Sequence, residues 1–255
     1  VTRARAAEAM RNWSPADQAA SDAWITIAER RFLDGEKAFN LALERSVAAN
    51  QPPTRQASLR DGRASIYLAL GKFAAAKADN DAALAGIAEP RSRINALFNR
   101  VAIARAMGDF RLASDTLREL ERTAAAARED KSNQTRRELI LQEARNRRAW
   151  GDLPGAIDKF EEARKLDDKS VDGLRELAAT HLQAGAPAVA QPLAQQALEL
   201  DLHLRGISRR SRRDTWVEAG DANLLASLRT AADCARAARD YPAADAHYQT
   251  AAALA

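Results

Sequence analysis

Six times along the chain an apolar or aromatic anchor is followed by a small residue at +3, a residue that fills space at +7, and Ala or Leu at +10. The series are Phe32, Gly35, Phe39, Ala42; Phe73, Ala76, Asn80, Ala83; and Phe110, Ala113, Leu117, Leu120. They continue as Leu153, Ala156, Phe160, Ala163; Pro187, Ala190, Ala194, Ala197; and Tyr241, Ala244, Tyr248, Ala251. Steps of three and four residues place each series on one helical stripe. Nine residues before the anchors stand Ala23, Ala64, Val101, Ala144, Ala178 and Ala232, small enough for a second helix to approach closely. In five of the six units a Gly or Asp lies one or two residues before the anchor, where a helix must stop and another begin. The chain therefore reads as recurring pairs of amphipathic helices.

The clearest copy is Asn95 to Arg122. Leu97, Val101 and Ala104 form one stripe, and Phe110, Ala113, Leu117 and Leu120 the other. Gly108 can take a positive φ and end the first helix, and Asp109 can cap the amides of the second. A tight helical hairpin is the expectation.

These residues resemble the tetratricopeptide repeat family, in which a small residue in the first helix, a Gly-x-aromatic turn and two Ala positions in the second helix define a 34-residue unit. The repeats are degenerate: the anchors are separated by 41, 37, 43, 34 and 54 residues. The family's early Trp and closing Pro are mostly absent, and Tyr67 is the one good match to its first-helix aromatic. The resemblance implies an all-α, right-handed superhelical solenoid of about six helix-turn-helix repeats, spanning 1–255 as one domain. A less regular helical solenoid is the alternative.

Composition agrees with this architecture. Apolar residues make up 46% and charged residues 29% of the 255, but aromatics only 5%, so Ala carries much of the packing. No Val, Ile and Thr-rich alternating run suggests a strand. No apolar run reaches the length of a membrane span, and no signal peptide precedes Val1. Cys234 is alone and cannot form an intrachain disulfide. The cytoplasm and a periplasm both remain open, and heavy use of Ala and Arg suggests a bacterial source.

Several boundaries follow from local signals. Thr2 to Asn12 reads as a short polar helix, and Ser14-Pro15 as the capped start of the next. Gln51-Pro52-Pro53 breaks the chain before Thr54 recaps it, and Glu89-Pro90 closes the second pair. The run Arg128 to Arg137 reads as a solvated loop. Asp152 caps the helix that starts at Pro154, Ser170 or Asp172 opens the fifth pair, and Pro192 lies where a helix can bend. Pro242 to Ala255 keeps an apolar pattern with no polar helix after it. Since solenoids need a cap, a further domain, more repeats or a second copy is expected to cover it.

The search for chemistry gives little. His181, His203 and His247 are far apart in sequence and none has metal-ligand spacing with a second His or Cys. Cys234 lacks a nearby base and reads as a small core thiol. There is no Gly-rich phosphate loop or nucleophile elbow. The sequence points to a non-catalytic protein without cofactor or metal.

The resemblance implies a concave groove lined by positions 15, 12, 8 and 4 before each anchor and their neighbours. That frame gives Trp24 and Ile27; Asn95, Phe98 and Arg105; Glu138, Leu141 and Arg145, followed by Ala149 with Arg148 and Trp150 on either side; Arg175 and Gln183; and Arg229, Asp233 and Arg236. An Arg-rich groove suits carboxylate-bearing ligands held by forked hydrogen bonds, with Phe98 and Trp150 as apolar anchors. Separately, Leu202 to Trp216 carries Arg205, Arg209, Arg210, Arg212 and Arg213 against Asp214. Its +4 equals the formal +4 of the whole chain, so the remainder is neutral and general nucleic-acid binding is disfavoured. That segment suits a polyanion or an acidic protein, or is an exposed helix continuation or loop. The expected function is a scaffold binding a peptide or partner protein of acidic character, with self-association through the last helix also open. The alternatives are a repeat module of a bacterial envelope secretion or polysaccharide-export assembly, and the sensor portion of a larger signalling protein.

Overall fold

A computed structural model describes residues 14–127, 133–210 and 217–254. Among these residues there are twelve helices and no strand, and the helices fall into two compact units, Val1–Asp130 and Lys131–Ala255. The expected helix at Thr2 to Asn12 lies outside the described residues. In the first unit the helices are α1 (Pro15–Ala28), α2 (Phe32–Ala48), α3 (Pro53–Ala69), α4 (Phe73–Gly86), α5 (Pro90–Ala106) and α6 (Phe110–Ala126). In the second they are α7 (Asn133–Trp150), α8 (Leu153–Leu166), α9 (Val171–Gln183), α10 (Pro187–Arg210), α11 (Val217–Ala237) and α12 (Tyr241–Leu254).

All six anchors are the first residue of the second helix of a pair. The turn before each is the same device. The residue two before the anchor takes a positive φ: Arg30 (55°), Gly71 (73°), Gly108 (75°), Gly151 (92°), Gly185 (77°) and Arg239 (66°). The amide that follows it donates back five residues, as in Lys72 to Tyr67 at 2.8 Å and Asp109 to Ala104 at 2.9 Å. This satisfies carbonyls that the helix end leaves open and reverses the chain within a few residues. Asp109 then caps α6 through Leu112 N at 2.9 Å, and Asp152 caps α8 through Gly155 N at 3.0 Å.

Other helix starts follow expectation at Ser14 and Ser170 and differ from it elsewhere. Ser14 caps α1, Ser170 caps α9, and the Glu89 carboxylate accepts from Arg91 N and Ser92 N at the start of α5. Helix α3 begins at Pro53 rather than after a Thr54 cap, because a proline at the first helical position lacks the N–H that a cap would satisfy. Of the expected loop Arg128 to Arg137, residues 133–137 are the first turn and more of α7, and the rest lies outside the described residues. Helix α10 runs through Pro192.

The packing stripes are buried as their spacing requires. Ala23, Ala64, Val101, Ala144, Ala178 and Ala232 are each 0% exposed, as are Ala76, Ala113, Ala156 and Ala190 in the facing helices. At +7, Phe39 and Phe160 supply bulk at 0% and 2% exposure, each worth about 1.5–3 kcal/mol of apolar burial. Alanine opposite these large groups permits close helix pairs. Within each unit, each pair buries its remaining apolar face on the first helix of the next pair, as in a repeat array.

Candidate functional site

Within each unit, first helices of successive pairs touch: α1 with α3, α3 with α5, and α9 with α11. Second helices do not come together to the same extent. The first helices therefore lie together along one face of each unit, called the inner face below. One register recurs there: the residue eight, or twelve, before one anchor meets the residue eleven before the next.

In the first unit this register brings Trp24 over Gly62. A Cβ on Gly62 would lie 2.9 Å from the Trp24 ring and 2.6 Å from Phe39 Cζ. Glycine is what lets both rings reach the α3 backbone. Trp24 and Phe39 meet edge to face, with centroids 5.3 Å apart at 85°. One repeat on, Asn99 of α5 donates to Asp61 Oδ1 of α3 at 3.0 Å. Asn80 of α4 donates to the same oxygen at 3.1 Å and to Ala96 O at 2.9 Å. Asp61 is buried, and burial raises its pKa above the ordinary value, only partly opposed by the two amides. Asp79, also buried in this unit, is held differently: Arg63 forks it at 2.6 and 2.8 Å.

In the second unit the same register builds an ion-pair cluster. Arg145 of α7 donates to Glu176 of α9 at 2.6 to 3.1 Å and to Glu138 at 3.1 Å. Arg148 reaches Glu176 Oε2 at 3.3 Å and lies over the Phe160 ring, 5.6 Å from its centroid. Burial works against the Arg145 charge, but Glu176 and Glu138 outweigh it and hold its pKa above the ordinary value. Two cations thus face two carboxylates, and this part of the face is balanced.

The remaining groove candidates are distributed as follows. Asn95 is exposed and Phe98 and Arg105 half-buried on α5. Trp24 and Trp150 are 41% and 64% exposed, so neither ring is core. Ile27 packs beside the first-unit core, and Leu141 is buried. Arg175 Nη2 donates to Asp172 at 2.6 Å, and Gln183 is exposed at the end of α9. On α11, Arg236 lies 3.7 Å from Asp233, while exposed Arg229 makes no hydrogen bond or ion pair among the described residues. Thus Arg145, Arg148, Arg175 and Arg236 already face carboxylates of the chain, which corrects the picture of a row of open guanidinium forks. The basic segment Arg205, Arg209, Arg210, Arg212 and Arg213 lies outside the described side chains.

Asp61, Asn99 and Glu176 escaped the sequence reading. Asp61 stands twelve before Phe73, the position that gave Phe98 from Phe110. Asn99 and Glu176 stand eleven before their anchors, one residue off the frame.

Among the described residues no three His, Cys, Asp or Glu side chains could hold a metal ion, and no helix is long and apolar enough to cross a membrane. Cys234 is 0% exposed, and burial, helped by Asp233, pushes its thiol up to about 11. Such a thiol is not a nucleophile at neutral pH. On α12, Tyr248 stands where Phe39 and Phe160 are buried, yet it is 36% exposed and donates to Asp233.

No sequence-family model and no curated protein matches the chain. Solved structures do. BtubC (BKLC) from P. vanneervenii superposes with a TM-score of 0.59 at 14% identity, over 95% of this chain and 91% of that one. Rap protein complexed with Competence and Sporulation Factor gives 0.59 at 12% identity, over 91% and 72%. The Podosopora anserina putative kinesin light chain, with nearly identical TPR-like repeats, gives 0.55 at 18%, over 79% and 95%. With its anchors, turns and stripes in register, the chain is an all-α repeat solenoid with the fold of tetratricopeptide-like proteins.

Proposed function

We propose that this protein is a non-catalytic interaction scaffold that holds a peptide or partner protein against the inner faces of its first helices. The observation that carries the reading is the convergence of those helices. In the first unit they present exposed Asn95 and half-buried Phe98, and in the second the Arg145–Glu176 cluster. Half-buried aromatic and arginine side chains bordered by polar groups are the composition of contact hot spots. That Rap protein, of similar fold, forms a complex with Competence and Sporulation Factor supports the reading by analogy of scaffold.

An acidic group on the partner would find Arg229, which no carboxylate of the chain occupies among the described residues. Arg145 and Arg148 would first have to leave Glu176. The test is selection of a phage-displayed random peptide library on the purified chain, followed by titration of selected peptides against Phe98→Ala and Arg229→Ala. The reading expects selected peptides whose affinity falls tenfold or more with at least one variant, since such an anchor is worth about 1–2 kcal/mol or more. Selection that never rises above background, or peptides indifferent to both variants, would overturn it.

A further inference from the structure

Asp61 is an unbalanced charge at the seam of two first helices. It is 8% exposed, yet its two hydrogen-bond donors, Asn80 and Asn99, are neutral amides and both use Oδ1. Cations nearby are engaged elsewhere: Arg63 forks Asp79 and reaches Asn40, and Arg100 and Lys77 pair with Asp81. No arginine or lysine contributes to the environment of Asp61, which is set by burial and the two amides. A buried charge is ordinarily paired. Asp79, at 7% exposure in the same unit, follows that rule and Asp61 does not.

The surroundings say what would complete the pair. Asn99 is half-buried beside the carboxylate and Asn95 is exposed one turn earlier on α5, with half-buried Phe98 next to Asn99. On α3, Ser58 and Ser65 flank Asp61 one turn to either side and are uncharged. The seam thus has one carboxylate, amide groups and an aromatic residue on neighbouring turns.

Resting on the scaffold reading above, we infer that the inner face between α3 and α5 receives a basic side chain, lysine or arginine, of a bound peptide, with Asp61 as its counter-charge. The side chain's apolar stem lies along Phe98 and its charged end reaches the carboxylate beside Asn99. A partly desolvated pair of this kind gives both orientation and selectivity, because a neutral side chain in its place would leave the carboxylate unpaired.

The experiment uses two pools of labelled, end-blocked octapeptides that differ only in carrying arginine or its neutral isostere citrulline at the central position. Binding is read by fluorescence anisotropy with the full chain, Asp61→Asn and Glu36→Gln. Asp61→Asn keeps the oxygen that accepts from Asn80 and Asn99, and circular dichroism checks its fold. Glu36→Gln removes a carboxylate that pairs with Lys72 at 2.7 Å, away from the seam. The wild-type chain should prefer the arginine pool by at least about tenfold. Asp61→Asn should abolish the preference and leave citrulline affinity within about twofold, and Glu36→Gln should retain the preference. Equal binding of both pools, or a preference that survives Asp61→Asn or disappears equally in Glu36→Gln, overturns the inference while leaving the scaffold intact. Failure of both pools to bind at all overturns the inference and the scaffold reading together.

Discussion

Replacing Gly62 with alanine sets two effects against each other, and the structure decides between them. On propensity alone, Gly to Ala inside a helix stabilises by about 0.5–1 kcal/mol. At Gly62 the added Cβ would lie 2.6 Å from Phe39 Cζ, 2.9 Å from Trp24, and closer still to Phe39 Cε1. Phe39 is 0% exposed and cannot swing into solvent, so its ring must move and carry its neighbours Ala23 and Ala42 with it. Overpacking of this kind costs about 1–3 kcal/mol. Subtracting the propensity gain leaves a net loss centred on about 1 kcal/mol and reaching about 2.5 kcal/mol. Urea unfolding followed by circular dichroism measures it as a lower midpoint at unchanged slope. A midpoint equal to or above wild type would refute the close approach of Trp24 and Phe39 to α3, and with it the register that aligns the first helices.

Three further outcomes test other parts of the account. Arg30 has a positive φ where four of the six turns use glycine, so Arg30→Gly should stabilise by about 0.5–1 kcal/mol, the relief of the left-handed strain less glycine's entropy, in the same urea assay. Asp61 has a folded pKa above its ordinary 3.8, so the folded state holds its proton more tightly; stability from this group is greatest in acid and falls as pH rises through the window above 3.8. Melting temperatures of Asp61→Asn and wild type should therefore be close below that window and diverge in favour of the variant above it. Glu176→Ala removes the shared partner of Arg145 and Arg148, whose side chains are 21% and 27% exposed, and should cost roughly 1–3 kcal/mol, between an exposed and a fully buried pair; thermal melts would show it, less at high salt.

How much of this was legible depends on how local the signal is. The helix pairs, their turns and the buried positions could be read because each rests on spacing within about twenty residues: Phe110 announces Ala113 and Leu120, and Gly108 the turn. The left-handed turns at Arg30 and Arg239 were not legible, since arginine carries no signal for a positive φ and tertiary packing holds it there. The charge state of the inner face was hidden for a different reason. Glu176 is 31 residues from Arg145, and only the stacking of one repeat on the next reveals that they pair. Reading Arg145 and Arg148 from one helix at a time counts cations and misses their shared anion, Glu176. Asp61 shows the converse: its frame position was readable, but its lack of a cation is a property of the packed unit.

Backbone hydrogen–deuterium exchange, with and without a saturating selected peptide, is the most direct test of the central claim. The account predicts new protection concentrated in first helices, in α3 and α5 or in α7, α9 and α11, with the second helices α2, α4, α8 and α10 unchanged. Protection confined to the second helices, or none at saturation, would contradict it.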